Sequence, residues 1–137
     1  MNTTLSPYLN FNGNAREVMQ FYQSVLGGDL TMQTFAESGI QTEEKYKDQI
    51  IHAHLQSGRI TIMASDMADH GEAVFGTSVN LSLNGSDMDG LTEAFHKLSE
   101  NGKVDMPLAK QFWGDTYGTV TDRYGIHWMV NISAPKE

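Results

Sequence analysis

The chain writes one pattern twice, and that repetition limits its folds more than any other feature of the sequence. Tyr8-Leu9-Asn10-Phe11-Asn12-Gly13 returns as Asn80-Leu81-Ser82-Leu83-Asn84-Gly85, a shift of 72 residues. Behind each copy runs an apolar stripe at helical spacing: Val18, Tyr22 and Val25 match Leu91, Phe95 and Leu98 at a shift of 73. Self-similarity at a fixed period marks one supersecondary unit used repeatedly.

The first copy can be read in order. Tyr8 to Phe11 alternates apolar and polar, as a half-buried strand does, and Asn12-Gly13 turns the chain. Asn14 is a helix N-cap, with Glu17 in the capping-box position. Val18, Phe21, Tyr22, Val25 and Leu26 form the buried stripe, and Gly27-Gly28 stops the helix. Leu30 to Phe35 reads as a second strand, and Glu37 to Asp48 as a polar, mobile loop.

Ile50 to Asp66 then reads as a hairpin. With Ser57-Gly58 as its two-residue turn, Gln56 faces Arg59, His54 faces Thr61 and His52 faces Met63. Ile51, Ala53, Leu55, Ile60, Ile62 and Ala64 share one apolar face, which should pack on a helix. His52, His54, Gln56, Arg59, Thr61, Met63 and Ser65 share the other.

In the second copy a helix starts from a cap near Ser86 or Asp87, carries Met88, Leu91, Phe95 and Leu98, and ends before Gly102. Strands follow around Val104, from Thr116 to Thr121 and from Ile126 to Ile132, the last two joined by a turn at Asp122 to Gly125. The order strand–helix–strand–strand–strand occurs twice. The sequence divides into module one at about 1–66, a linker at about 67–77 and module two at about 78–137, within a single domain of 137 residues.

Composition removes several classes of function. With 17 acidic and nine basic residues, a formal charge of −8 and no Lys/Arg cluster, the surface repels phosphate backbones and anionic membranes. No apolar run approaches the roughly 20 residues of a membrane helix. The N-terminus lacks the basic and apolar regions of an export signal, which fits a cytoplasmic protein. The absence of cysteine excludes disulfides, Cys-based zinc sites and a thiol nucleophile. Small molecules and other protein chains are the expected partners, not nucleic acid or membrane.

Residues 8–15, Phe21-Tyr22, Leu26-Gly27-Gly28 and Met63-Ala64-Ser65-Asp66, with Phe112-Trp113-Gly114 and the run Val120 to Trp128, make the chain resemble the vicinal oxygen chelate superfamily (glyoxalase, bleomycin resistance, dioxygenase), and within it the PhnB-like branch. The resemblance spans nearly the whole chain. It implies an α+β fold: two βαβββ modules forming cupped mixed sheets, helices on the outer face and the ligand cavity inside. It also implies a homodimer, since a second copy can cover the exposed edges of an open sheet.

Metal-dependent members of that superfamily hold one divalent ion with His and Glu on cavity-facing strands. Carried over by position, those ligands fall near Ser6 or Pro7, at Met63, at Ser78 and at Met129, none of which suits such an ion. No cofactor and no family-type metal site are therefore expected. His52 and His54, joined by His127, are the only imidazoles placed to substitute, and no Asp or Glu is expected on the same strand faces.

Other clusters keep two readings. Asp66-Met67-Ala68-Asp69-His70-Gly71 either caps a cavity and supplies a base or is an acidic connection in which Asp66 closes a turn. Phe112 to Gly118 packs three aromatics between glycines, suiting either a flat apolar ligand or a dimer seam. No Gly-rich loop with a following acidic residue supports a nucleotide-type cofactor or the methyltransferase label that some relatives carry.

The cavity is expected to be lined by Tyr8, Asn10, His52, His54, Thr61 and Met63 from module one and by Ser78, Asn80, His127 and Met129 from module two, with Trp113 and Tyr117 near its mouth. Three functions follow from this lining: a metal-independent small-molecule binder, a glyoxalase-, epimerase- or dioxygenase-type enzyme built on displaced histidines, or a scaffold with a vestigial cavity. The sequence names no ligand and assigns no catalytic residue.

Overall fold

A computed structural model describes residues 2–134. The chain forms two compact units, Met1–Val74 and Phe75–Glu137. Each is a four-stranded mixed sheet with a long helix against one face, so the architecture is α+β as the repeat predicts.

In the first unit, β1 (Tyr8–Phe11), α1 (Ala15–Leu26), β2 (Asp29–Thr34), α2 (Phe35–Ser38), β3 (Ile50–Ser57) and β4 (Ile60–Asp66) build a sheet of order β1-β4-β3-β2. β1 runs parallel to β4 and the other pairs are antiparallel. Val18, Met19 and Tyr22 of α1 are buried with Phe11, Ala53, Leu55, Ile62 and Ala64, because strand alternation and helical periodicity bring these apolar sets onto facing surfaces.

The second unit repeats the plan with β5 (Leu81–Gly85), α3 (Met88–Ser99), β6 (Lys103–Lys110), β7 (Thr116–Thr121) and β8 (His127–Ile132), in the order β5-β8-β7-β6. Asp87 caps α3 by accepting from the Gly90 N–H at 3.1 Å. Phe95 and Leu98 are buried with Val120, Trp128, Val130 and Ile132.

Several details differ from the sequence reading. The β3–β4 turn is Gly58-Arg59: Ser57 pairs with Ile60, Gln56 with Thr61 and His54 with Met63. The cause is Ser57, whose hydroxyl donates to the Leu26 carbonyl at the end of α1 and is held in the strand. The register slides by two residues, so every side chain keeps its face. The β2–β3 connection is built rather than loose. Thr34 and Glu37 form a reciprocal capping box on α2, Glu44–Tyr46 makes a 3-10 turn, and Phe35 N–H bonds the Gln49 carbonyl. The Thr34 hydrogen bonds hold the Glu37 carboxyl below its usual range.

The two helices keep the shift of 73, but the first strands, β1 and β5, are equivalent at 74, not 72. Met67 N–H bonds the Phe11 carbonyl just as Ser133 N–H bonds that of Gly85. The Asn-Gly echo therefore lies two residues out of structural register.

Candidate functional site

Within each unit, the sheet face away from the helix is polar and half-open. Across this face in the first unit, register aligns Tyr8 with Met63, Met63 with His54, and His54 with Thr31. The equivalent row of the second unit joins Ser82, Met129, Thr119 and Met106. Each row puts a methionine on the strand beside its unit's first strand.

Hydrogen bonds fix the first unit's face. Tyr8 Oη lies 3.1 Å from His52 Nδ1, with the rings 5.7 Å apart. Ser65 donates to Asn10 Oδ1 at 3.3 Å, and Thr61 donates to Gln56 Oε1 at 2.7 Å. His54 is half-buried beside Met63. Tyr8, Asn10, His52, His54, Thr61 and Met63 thus share one face, as alternation predicts.

On the second unit's face stand His127, Met129, Asn131, Thr119, Thr121 and Tyr117. Ser78 and Asn80 precede β5 and are exposed. Trp113 stacks edge-on against Phe112 at 4.9 Å and lies 6.1 Å from Tyr117. Phe112 is 97% exposed and Trp113 48%. Asp115 anchors this aromatic turn: its carboxylate accepts from Asn131 Nδ2 at 3.0 Å and from the Ala134 N–H at 3.1 Å. Those donors, with Trp113, hold the Asp115 carboxyl below its usual range.

The expectation that no Asp shares these faces is overturned at two places. Asp29 is in register with Gln56 on the first unit's open face. In β6, Val104 pairs with Val120 and Met106 with Thr119, so Asp105 is the extra residue of a bulge. Lys103, two residues earlier, is the register partner of Thr121, and Asp105 Oδ2 lies 2.7 Å from Thr121 Oγ1, which lies 2.9 Å from His127 Nδ1. The sequence places a strand around Val104 without its pairing register, so Asp105 is not assigned to this face in advance.

The connection after β4 divides its acidic residues by role. Asp66 is buried and accepts from the N–H groups of Gly13, Ala15 and Ile50 at 2.9–3.0 Å. It therefore caps α1 in place of Asn14, whose side chain makes no cap bond. Asp69 and His70 lie at the surface, 3.8 Å apart. The same connection lines a polar cleft of about 280 Å³ with Asn12, Tyr46, Gln49, Ala68, Gly71 and Glu72. Of these, Ala68 and Gly71 lie in the stretch that the sequence reads as a cavity cap, while Asn12, Tyr46, Gln49 and Glu72 are not singled out as site residues. Asn12 holds the cleft wall by bonding both the N–H and the carbonyl of Ala73.

Comparison with known proteins follows this geometry. The family described as the Glyoxalase/Bleomycin resistance protein/Dioxygenase superfamily matches residues 4–130. The chain belongs to this superfamily. Protein YjdN of Escherichia coli is 30% identical over 93% of this chain and 94% of its own length. The crystal structure of protein PA1353 from Pseudomonas aeruginosa superposes with a TM-score of 0.88 at 37% identity, covering 98% of this chain and 100% of that one. A PhnB protein from Bacillus cereus, described as a putative 3-demethylubiquinone-9 3-methyltransferase, shares the fold at a TM-score of 0.77 and 22% identity, over 96% of this chain and 100% of its own.

The resident divalent ion of metal-dependent superfamily members does not fit the residues present. Met63 and Met129 offer soft thioethers where imidazole or carboxylate is needed. Among the described residues no three His, Asp or Glu side chains come together to share a metal. No helix among the described residues is long and apolar enough to cross a membrane.

Proposed function

We propose that this superfamily member binds a small organic molecule on the open faces of its sheets without a metal, as a cytoplasmic homodimer. The observation that carries the reading is the pair of equivalent rows, Tyr8–Met63–His54 and Ser82–Met129–Thr119, with thioethers at the positions to which the resemblance carries the His and Glu ligands of metal-dependent members. Thioethers are polarizable and adapt to irregular apolar shapes. Hydroxyls, amides and imidazoles around them, from Asn10, Asn131, His52 and His127, supply directional hydrogen bonds. Apolar filling with a few placed polar groups is the composition of a small-molecule site.

Methyl transfer is not part of this reading. Gly27 and Gly28, both with left-handed φ values, terminate α1 rather than cradle a cofactor. The dimer is supported by the β6 edge, where Val104 and Met106 are exposed, and by exposed Phe112 and Trp113. The cytoplasmic assignment rests on the cysteine-free, acidic sequence.

The deciding experiment is elemental analysis of protein purified without a metal-affinity tag, paired with a thermal-shift screen of small organic compounds. Metal-free protein stabilised by a compound whose effect falls in Met63→Asp or Met129→Asp supports the proposal. A stoichiometric divalent ion that is lost in His52→Ala/His54→Ala replaces it with a metalloenzyme. No stabilising compound, with no metal, leaves a scaffold.

A further inference from the structure

We propose that Asp105 and Thr121 lock His127 as the Nδ1–H tautomer, so that its Nε2 faces a ligand as a hydrogen-bond acceptor for an acidic hydroxyl. A threonine hydroxyl carries a single hydrogen, and a carboxylate can only accept. At 2.7 Å from Asp105 Oδ2, the Thr121 proton is committed to the carboxylate. The Thr121 oxygen can then only accept, so the 2.9 Å contact to His127 Nδ1 requires the hydrogen on that nitrogen. A neutral imidazole protonated at Nδ1 has its lone pair at Nε2. Among the described residues Thr121 is the sole hydrogen-bond partner of the ring.

The backbone is arranged to make this relay. Thr121 and His127 are cross-strand partners on β7 and β8, and Asp105 reaches Thr121 from β6, where Lys103, two residues earlier, is the register partner of Thr121. Met129, two residues along β8, lies on the same face, roughly 7 Å from His127 along the strand. That spacing matches one aromatic ring laid on the thioether with its hydroxyl at Nε2. The ligand class is therefore a flat apolar molecule bearing an acidic hydroxyl, of which a phenol is the simplest case. This class rests on the small-molecule reading above, whereas the tautomer does not.

Two measurements separate the two statements. Long-range proton–nitrogen correlation on nitrogen-labelled protein, above the imidazole titration range, reads the tautomer, with His127 assigned by its loss in His127→Gln. The expected spectrum has a protonated Nδ1 and a bare Nε2. Thr121→Val, and independently Asp105→Ala with the hydroxyl intact, should return the ring to the Nε2–H form that unconstrained histidines prefer. An Nε2–H signal in the unaltered protein, or an unchanged ring in well-folded Asp105→Ala, overturns the relay. In the second measurement, phenol, which stays un-ionised where the imidazole is neutral, and its methyl ether are titrated while the Met129 methyl and His127 Nε2 are followed. The phenol should shift both and bind at least tenfold more tightly than the ether, with the difference gone in His127→Phe. Equal binding of phenol and ether overturns the acceptor role. No shift from either compound overturns the ligand class while the tautomer result stands.

Discussion

The carboxylate of Asp66 accepts the backbone N–H of Ala15 at 3.0 Å, so β4 caps a helix that begins 51 residues earlier. The same side chain takes the N–H groups of Gly13 and Ile50, joining the β1–α1 turn to the start of β3. Two buried donors and one part-buried donor lose their acceptor if the carboxylate goes, and an unsatisfied buried group costs about 1–3 kcal/mol. We expect Asp66→Ala to lower stability by about 3–4 kcal/mol, read as the urea midpoint at unchanged slope. Asn14→Ala should cost less than about 0.5 kcal/mol, because the Asn14 side chain makes no cap bond. Equal losses in the two variants would contradict this division of roles.

Gly28 follows α1 with φ +88°, and a Cβ there would meet the Gln56 carbonyl oxygen and lie 2.6 Å from Ser57 Cβ and 2.7 Å from Ser57 Cα. Both the left-handed backbone and the space exclude a side chain. Gly58, at the hairpin turn with φ +56°, has nothing within 4 Å. Gly28→Ala should therefore cost about 3 kcal/mol or more and Gly58→Ala only about 1 kcal/mol. Thermal unfolding of the two variants in parallel tests the difference, and similar melting temperatures would refute it.

Trp128 is 1% exposed and donates from Nε1 to Asp122 Oδ2 at 2.9 Å, while Oδ1 of the same carboxylate accepts from the N–H groups of Tyr124 and Ile126. The buried tryptophan and the β7–β8 turn are thus held by one side chain. Trp128→Phe should cost about 2–3 kcal/mol, and its effect should be non-additive with Asp122→Asn because the two share a bond. A double-mutant cycle measures the coupling, and additivity within about 0.3 kcal/mol would rule it out.

The sequence makes the fold legible because both its signals are periodic. Helix and strand alternation locate α1, α3 and the buried faces, and the duplication orders them. Long-range bonds escape such reading. Nothing near Asn14 announces that its capping role passes to Asp66, and Ser57 leaves the turn only because the Leu26 carbonyl needs a donor. The open-face residues share faces as predicted, since a two-residue slip preserves parity. Asp105 and the cleft lined by Tyr46, Gln49 and Glu72 are not read beforehand, one because the pairing register of β6 is a long-range property and the other because loops build it.

Asp115 links the aromatic turn to β8 through Asn131 and to the backbone of Ala134. The Asn131 amide is the chief cause holding its carboxyl below the ordinary value, followed by the Ala134 N–H. A depressed folded-state value means that the ionised form is favoured by folding. The associated stability is present above the unfolded carboxyl value near 3.8 and is lost as pH falls through the lower folded value. In Asn131→Ala the strongest donor is gone, so Asp115 should titrate closer to 3.8 and the acid-induced loss of stability through this group should shrink. Carbon-detected titration of the Asp115 carboxyl in both proteins measures the move directly. An Asp115 titration unchanged by Asn131→Ala would show that the amide does not hold the carboxylate, and Trp113 would then need another anchor.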